Sequence, residues 1–171
     1  NDYKIYYPTD VMETGADILF FWVARMIMLG IYVTGEIPFK TVYLHGMVRD
    51  VNRQKMSKSK GNVISPIEMS EKYGTDALRM ALVVGNTPGS DMALSEDKIK
   101  GYKHFANKIW NASRFVLDNI KDIDSNIKPE ITAEEKKLLD ELAIEVKEIT
   151  DDIENYRFYL AAEKIYHYFW H

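Results

Sequence analysis

No cysteine occurs among the 171 residues. Disulfide frameworks, thiolate zinc sites, iron–sulfur clusters and cysteine nucleophiles are therefore excluded, and a reducing, cytoplasmic setting is expected. Glycine (9) and proline (5) are too scarce for a collagen or a low-complexity tract. Neither charge sign dominates: 22 Lys+Arg stand against 26 Asp+Glu, a net charge of −4. That excludes a globally basic nucleic-acid binder but not a local basic patch. The chain starts at Asn1 without a signal peptide or targeting segment and reads as a piece cut from a longer one. Its longest apolar stretch, residues 18–33, falls short of the roughly 20 residues of a span and carries Arg25 near its middle. No membrane partner is expected. The stretch reads instead as a helix buried in a soluble core, interrupted at Gly30 and ended by Thr34-Gly35.

What is present is ordinary globular composition, 46% hydrophobic and 28% charged, enough for one domain or two small ones. Phe39 to Gly46 reads as a short buried strand, and an earlier strand is expected in Lys4 to Val11, broken by Pro8. A long apolar helix followed by a buried strand is an α/β signature. Residues 49–62 read as a loop. Ser65-Pro66-Ile67-Glu68 carries three helix-start signals, Gly74 closes that helix, and Thr75 is expected to cap the next, which ends at Gly85. Residues 86–94 are a turn region. Ser95 then caps a long helix with Ile99, Tyr102, Ala106, Ile109, Trp110, Leu117 and Ile120 at helical spacing. A polar linker, Asp122 to Glu130, precedes a capping box at Thr132-Ala133-Glu134-Glu135, a helix with the stripe Leu138, Leu142, Val146, Ile149 and Ile153, and a final helix from about Arg157. The fold class is α/β plus all-α and helix-dominated: residues 1–94 α/β, residues 95–171 an antiparallel helical bundle.

Basic charge is concentrated in two places. Residues 98–114 hold Lys98, Lys100, Lys103, Lys108 and Arg114 with no acid, whereas 115–171 carry seven basic and fourteen acidic groups. The face at 98–114 is open to two readings, a nucleic-acid backbone contact or a solvated helix face. The other place is Lys55-Met56-Ser57-Lys58-Ser59, followed by Lys60-Gly61-Asn62. Ammonium groups, hydroxyls and backbone N–H groups there suit a polyphosphate, although the string has no P-loop pattern.

That pentapeptide resembles the signature of class I aminoacyl-tRNA synthetases. Its surroundings resemble the valyl-tRNA synthetases in detail: Tyr7-Pro8-Thr9-Asp10-Val11, Glu13-Thr14-Gly15-Ala16-Asp17 through Met26, Leu44-His45-Gly46-Met47-Val48-Arg49-Asp50, Gly61-Asn62-Val63-Ile64-Ser65-Pro66, Lys72-Tyr73-Gly74-Thr75-Asp76 and Phe105-Ala106-Asn107-Lys108-Ile109-Trp110. Glu154 to Phe158 and Tyr168 to His171 resemble the start of the anticodon-binding helices. The resemblance implies the second half of a Rossmann-type catalytic domain with a stem-contact region over 1–94, then part of the helical anticodon-binding domain over 95–171. The family enzyme activates L-valine with ATP and Mg2+ to valyl-adenylate and transfers valine to tRNA(Val). Carried over by position, Lys55 and Lys58 hold the β- and γ-phosphates, and Met56, Ser57 and Ser59 complete the ATP-binding loop. Gly15 and Asp17 lie near the ribose, and His45, Gly46, Met47 and Val48 pass the adenine. Ile18 and Trp22, four apart on one expected helix, line the valine pocket. Lys98, Lys100, Lys103, Lys108 and Arg114 face tRNA. Neither a tightly bound metal nor DNA is implied.

Each residue also has a plainer reading. Ile18 and Trp22 serve equally as core, His45 as a satisfied histidine at a strand end, and Asp17 as a helix cap. Arg25 is expected to be ion-paired inside the fold, and His167 with His171 lacks a third ligand for a metal. Arg53 stands where the family often has glycine, so Asn52 is expected to supply the left-handed turn residue. Ser65 replaces a common aspartate. The family's other signature, His-Ile-Gly-His, its editing insertion and most of its anticodon-binding domain are absent from these residues. The chain alone is therefore expected to be catalytically incomplete, needing the N-terminal half of the same enzyme, and the face meeting that half is expected to be apolar. Competing readings are a fragment of an isoleucyl or leucyl enzyme, a non-catalytic tRNA-binding module, and a protein-interaction module. The apolar run Ile18 to Phe21 argues against the isoleucyl type.

Overall fold

A computed structural model describes residues 2–123 and 130–170. The polar linker expected over 122–130 lies largely outside the described residues, as does His171. The chain forms two compact units, Asn1–Gly61 with Asn86–Ala93, and Asn62–Gly85 with Leu94–His171. The cut at residue 94 therefore does not coincide with the packing. Residues 62–85 join the helical unit because Ala77, Leu78 and Ala81 bury their face in it, and 86–93 return to the sheet unit.

The first unit opens with a short helix, α1 (Asp2–Tyr6), where an extended segment was expected; the strand begins only after Pro8, as β1 (Thr9–Gly15). It pairs in parallel with β2 (Phe39–His45), and the register sets Thr9 opposite Phe39 and Gly15 opposite His45. The two strands thus end level. The crossover between them is helical from Ala16 to Thr34 but not uniform: a 3-10 turn (Ala16–Ile18), a π-helical turn (Leu19–Val23), then α2 (Ala24–Thr34). Gly30 does not interrupt α2. A Cβ there would lie 2.9 Å from the Tyr7 hydroxyl and 3.1 Å from Pro38, so glycine lets the helix lie close to the start of β1. Gly35, at φ 77°, stops the helix in the left-handed conformation that favours glycine.

The burial expected for this crossover does not occur among the described residues. Phe20, Phe21, Met28, Leu29, Tyr32 and Val33 are all exposed, and only Val23 is fully buried. By length and composition, Ala16–Thr34 is apolar enough to cross a membrane. Arg25 is exposed and makes no ion pair with any described residue, so the ion pair expected for it does not form there. A contiguous apolar face of this kind marks a surface that meets another surface.

The second unit contains α3 (Pro66–Tyr73), α4 (Thr75–Val83), α5 (Glu96–Asn119), α6 (Ala133–Glu154) and α7 (Phe158–Trp170). The cap signals hold at Ser65, Ser95 and Thr132, whose hydroxyls accept from the N–H groups of Glu68, Lys98 and Glu135. At α4 the cap is Gly74 at φ 95°, not Thr75, whose side chain makes no capping bond. Its core gathers Ala77, Leu78, Ala81, Ile99, Phe105, Ala161 and Ala162 from α4, α5 and α7. The outer stripe is less covered than its spacing suggests: Trp110, Leu117, Leu138 and Val146 stay exposed. At the α6–α7 turn the buried Asp152 carboxylate pairs with Arg157 Nε at 2.7 Å and Lys164 Nζ at 2.9 Å. Those partners hold it below the ordinary carboxylate range, Lys164 most strongly.

Candidate functional site

Two parallel strands ending at the same level leave a crevice beyond their carboxyl ends, where open α/β sheets take ligands. Here that crevice is a cleft of about 450 Å³, lined by Gly15, Ala16, Asp17, Ile18, His45, Gly46, Met47, Arg49, Gly89 and Asp91. Its volume falls in the range of small-molecule sites, roughly 300–1,000 Å³. Six of the sequence-expected residues converge on it: Gly15, Asp17, Ile18, His45, Gly46 and Met47. At Gly15 a Cβ would sit 2.6 Å from the Asp17 carboxylate, so glycine leaves that carboxylate room above the strand end. Asp17 lies inside the 3-10 turn and makes no capping bond, which removes the capping reading. His45 Nδ1 lies 3.0 Å from the Gly46 carbonyl and Nε2 3.4 Å from Glu13, so the ring is held in place at the rim.

Trp22 does not line this cleft. Ile18 ends the 3-10 turn and Trp22 sits in the π-helical turn, so they do not share one regular helix face as the four-residue spacing suggested. Such π turns often occur at functional sites. Val48 lies in a two-residue strand, β3 (Val48–Arg49), parallel to β4 (Met92–Ala93).

The segment 86–93 is what the sequence reading missed. Its backbone is pressed against the cleft floor: a Cβ at Gly46 would lie 1.6 Å from the Ser90 carbonyl oxygen. The Gly89 N–H donates to the Leu44 carbonyl at 2.9 Å and the Met92 N–H to the Met47 carbonyl at 3.0 Å. The Asp91 carboxylate accepts from the Met47 N–H at 2.9 Å and closely from Arg49 Nε. Both hold its ionisation below the usual range, the Met47 N–H more than the guanidinium. A pair 42 residues apart leaves no local signal; only the lone acid following Gly89-Ser90 hinted at it.

Beyond Arg49 the chain makes a tight turn. Asp50, nearly buried, accepts from the N–H groups of Asn52 at 3.0 Å and Gln54 at 2.8 Å. The left-handed position in it is Arg53 itself, at φ 59°, and not Asn52. A bridge between Arg49 and Lys55 then ties the lysine loop to the strand that borders the cleft. Ser57 and Ser59 hydroxyls meet at 3.2 Å, and Lys58–Lys60 form one 3-10 turn closed by Gly61 at φ 66°. Lys58 and Lys60 project into solvent without an ion-pair partner among the described residues.

The five cations of α5 do not act alike. Lys98 Nζ donates to the Val84 carbonyl at 2.8 Å, and burial lowers its proton affinity. Lys103 reaches the Lys72 carbonyl at 3.3 Å. Lys108 reaches the Trp170 carbonyl at 3.3 Å and lies 4.0 Å from the centre of the Trp170 ring. Lys100 and Arg114 are exposed. Among the described residues no cluster of three or more His, Asp or Glu is placed to hold a metal.

The family model of the tRNA synthetases class I (I, L, M and V) matches residues 1–95. The chain is 49% identical over 170 residues to the valine–tRNA ligase of Solibacter usitatus, covering 99% of this chain and 20% of that one. It is 48% identical to the valine–tRNA ligase of Aquifex aeolicus, covering 99% and 15%. The chain thus spans a fifth or less of the length of these curated relatives. Among solved structures it resembles Mycobacterium tuberculosis methionyl-tRNA synthetase in complex with methionyl-adenylate, with a TM-score of 0.79 at 25% identity over 98% of this chain and 33% of that one. It also resembles the Agrobacterium radiobacter K84 LeuRS–tRNA–LeuAMS ternary complex, with a TM-score of 0.77 at 24% identity over 92% and 22%. Because the match runs through both parallel strands, the cleft between their ends and the lysine loop, the chain belongs to the class I tRNA synthetases.

Proposed function

We propose that this chain supplies the lysine-loop half of a valine–tRNA ligase site. The observation that carries the reading is the joining of the cleft to the lysine loop through Arg49 and Lys55. The reaction is attack of the valine carboxylate on the α-phosphorus of ATP. A carboxylate oxygen–phosphorus bond forms, the bond to the β-phosphate bridge breaks, and pyrophosphate leaves. Valine then passes to the 3′ end of tRNA(Val). Charge stabilisation and positioning do most of the work in such transfers. Lys58 and Lys55 offset charge on the departing phosphates, and Met56, Ser57 and Ser59 shape the loop. Asp17 accepts from the ribose hydroxyls across the space that Gly15 leaves. His45 to Val48 border the adenine, and Ile18 meets the valine side chain at the cleft, with Trp22 approaching it from the π-helical turn outside the cleft lining. Magnesium arrives as part of the nucleotide, held chiefly by phosphate oxygens and water.

Residues 1–94 act in this reading as the C-terminal half of the catalytic domain with its stem-contact region. Residues 95–171 belong to a helical anticodon-binding domain with an antiparallel bundle arrangement. Lys100 and Arg114 are its most accessible tRNA contacts, with Lys98, Lys103 and Lys108 behind them. The exposed apolar crossover is the face that the first half of the catalytic domain covers, in a cytoplasmic enzyme. A methionyl-tRNA synthetase of similar fold in complex with methionyl-adenylate supports placing the nucleotide in the cleft.

The test is a chimera in which this chain replaces its counterpart in the Solibacter usitatus ligase. Valine-dependent ATP–pyrophosphate exchange is expected in the chimera, and Lys58→Ala is expected to lower it about 100-fold or more. A folded chimera without exchange refutes the reading and favours a non-catalytic tRNA-binding module. Exchange by the chain alone refutes the need for the other half.

A further inference from the structure

We propose that Asp91 is a positioning residue for ATP use: its carboxylate joins the cleft floor to the root of the lysine loop. The inference deepens the reading above and rests on it. One carboxylate oxygen takes the Met47 N–H at 2.9 Å, and the other takes Arg49 Nε. Met47 and Arg49 both line the cleft. Arg49 also donates from Nη1 to the Arg53 carbonyl at 3.4 Å, and its backbone bridges Lys55. Asp91 is thus two contacts from the loop on one side and one contact from the adenine-bordering backbone on the other.

The strand pairing here cannot hold that geometry by itself. Only Val48 with Met92 and Arg49 with Ala93 are paired, and so short a two-stranded ladder is marginal in water. Besides the Gly89 N–H···Leu44 and Met92 N–H···Met47 bonds, the side-chain clasp and the close seat of Ser90 on Gly46 keep the floor registered. Hydrogen bonds with a charged partner are the stronger kind, and a carboxylate that serves two donors at once fixes their separation. The carboxylate stays ionised through the neutral range, since its donors favour the charged form.

The test measures initial exchange rates in the chimera while ATP and valine are varied in turn. Asp91→Ala is expected to raise KM for ATP about tenfold and to lower kcat, with KM for valine changed less than about twofold. Asp91→Asn keeps an acceptor for the Met47 N–H but loses the charge facing Arg49, so it is expected to restore most of the ATP KM and leave kcat depressed. Arg49→Ala is expected to show that same kcat loss, and the Asp91→Ala, Arg49→Ala double variant to add little to it. Asp10→Asn, whose pairing with Lys40 at 2.8 Å lies at the far end of β1, is the unaffected control. If the unsubstituted chimera shows no exchange, the activity reading fails. If it does and Asp91→Ala behaves like it, this inference is wrong. Equal rises in both KM values, or losses that track a fall in Tm, likewise overturn it and leave Asp91 merely structural. Should Asp91→Ala not fold, the isosteric Asp91→Asn decides on its kcat alone.

Discussion

Replacing Gly46 by alanine is the sharpest perturbation of the cleft floor. Its backbone needs no left-handed conformation, so the whole cost is steric. The new Cβ would stand 1.6 Å from the Ser90 carbonyl oxygen, 2.3 Å from its carbon and 2.9 Å from the Asp91 nitrogen. All three are backbone atoms, which cannot rotate away as a side chain can. Ordinary contact begins at 3.4 Å, so the 89–91 backbone must retreat by about 1.8 Å. That shift carries the Gly89 N–H···Leu44 and Met47 N–H···Asp91 bonds, both 2.9 Å, beyond hydrogen-bond reach. Overpacking costs about 1–3 kcal/mol and each of the two lost bonds about 0.5–1.5 kcal/mol, which together give about 2–6 kcal/mol. At about 2 kcal/mol per molar of urea, the midpoint should fall by about 1–3 M. The assay is fluorescence-monitored urea unfolding in a Trp110→Phe, Trp170→Phe background, which leaves Trp22 to report the sheet unit. Gly35→Ala is the comparison: its Cβ meets nothing within 4 Å, but φ is 77°, so the cost is the backbone term of about 1 kcal/mol. A Gly46→Ala midpoint within about 0.2 M of the parent would show that Ser90 does not seat there, and the clasp argument would go with it.

Other outcomes follow from the caps, the turn and the charges. Thr132→Ala removes the hydroxyl of a complete capping box and should cost about 1 kcal/mol, read as a lower urea midpoint by circular dichroism. Arg53→Gly relieves a left-handed backbone and should leave stability unchanged or raise it by up to about 1 kcal/mol in the same assay; a loss would mean that its side chain matters. Glu96 is held below its ordinary 4.5, mainly by the Lys72 ammonium and then by the Tyr73 hydroxyl. Its contribution is therefore present above pH 4.5 and disappears as pH falls through the lower folded value, while that of Lys72, raised above 10.5, disappears at alkaline pH. Glu96→Gln should flatten both limbs of the stability–pH curve.

Local signals proved legible wherever one residue answers to its near neighbours. The caps at Ser65, Ser95 and Thr132 follow from hydroxyls placed three residues before a free N–H, and β2 from its β-branched and aromatic run. The convergence of Gly15, Asp17, His45 and Gly46 was legible only through the family's motifs; what explains it physically is the parallel register that ends β1 and β2 together. The failures share a different cause. Apolar spacing describes α2 correctly as a helix but cannot say what lies opposite it, and among the described residues nothing covers Met28, Leu29, Tyr32 or Val33. Asp91 and Arg49 are brought together by a chain return that no window of residues contains. The left-handed residue fell on Arg53 rather than Asn52, inside a turn that Asp50 closes on the Asn52 and Gln54 N–H groups, and composition alone does not choose between the two positions.

The lysines of α5 change what ionic strength should do to any RNA contact made there. Each phosphate neutralised by a cation that arrives unencumbered releases condensed counterions, and the logarithm of affinity falls with that of salt by about 0.7–0.9 per phosphate. Five equivalent cations would give a slope of about −4. Lys98, Lys103 and Lys108 are already turned toward carbonyls of their own fold, which leaves Lys100 and Arg114 and a slope of about −2. A helix that looks like a free polyelectrolyte in sequence should therefore show, in a salt titration with RNA, the response of a helix with few cations free to reach phosphate.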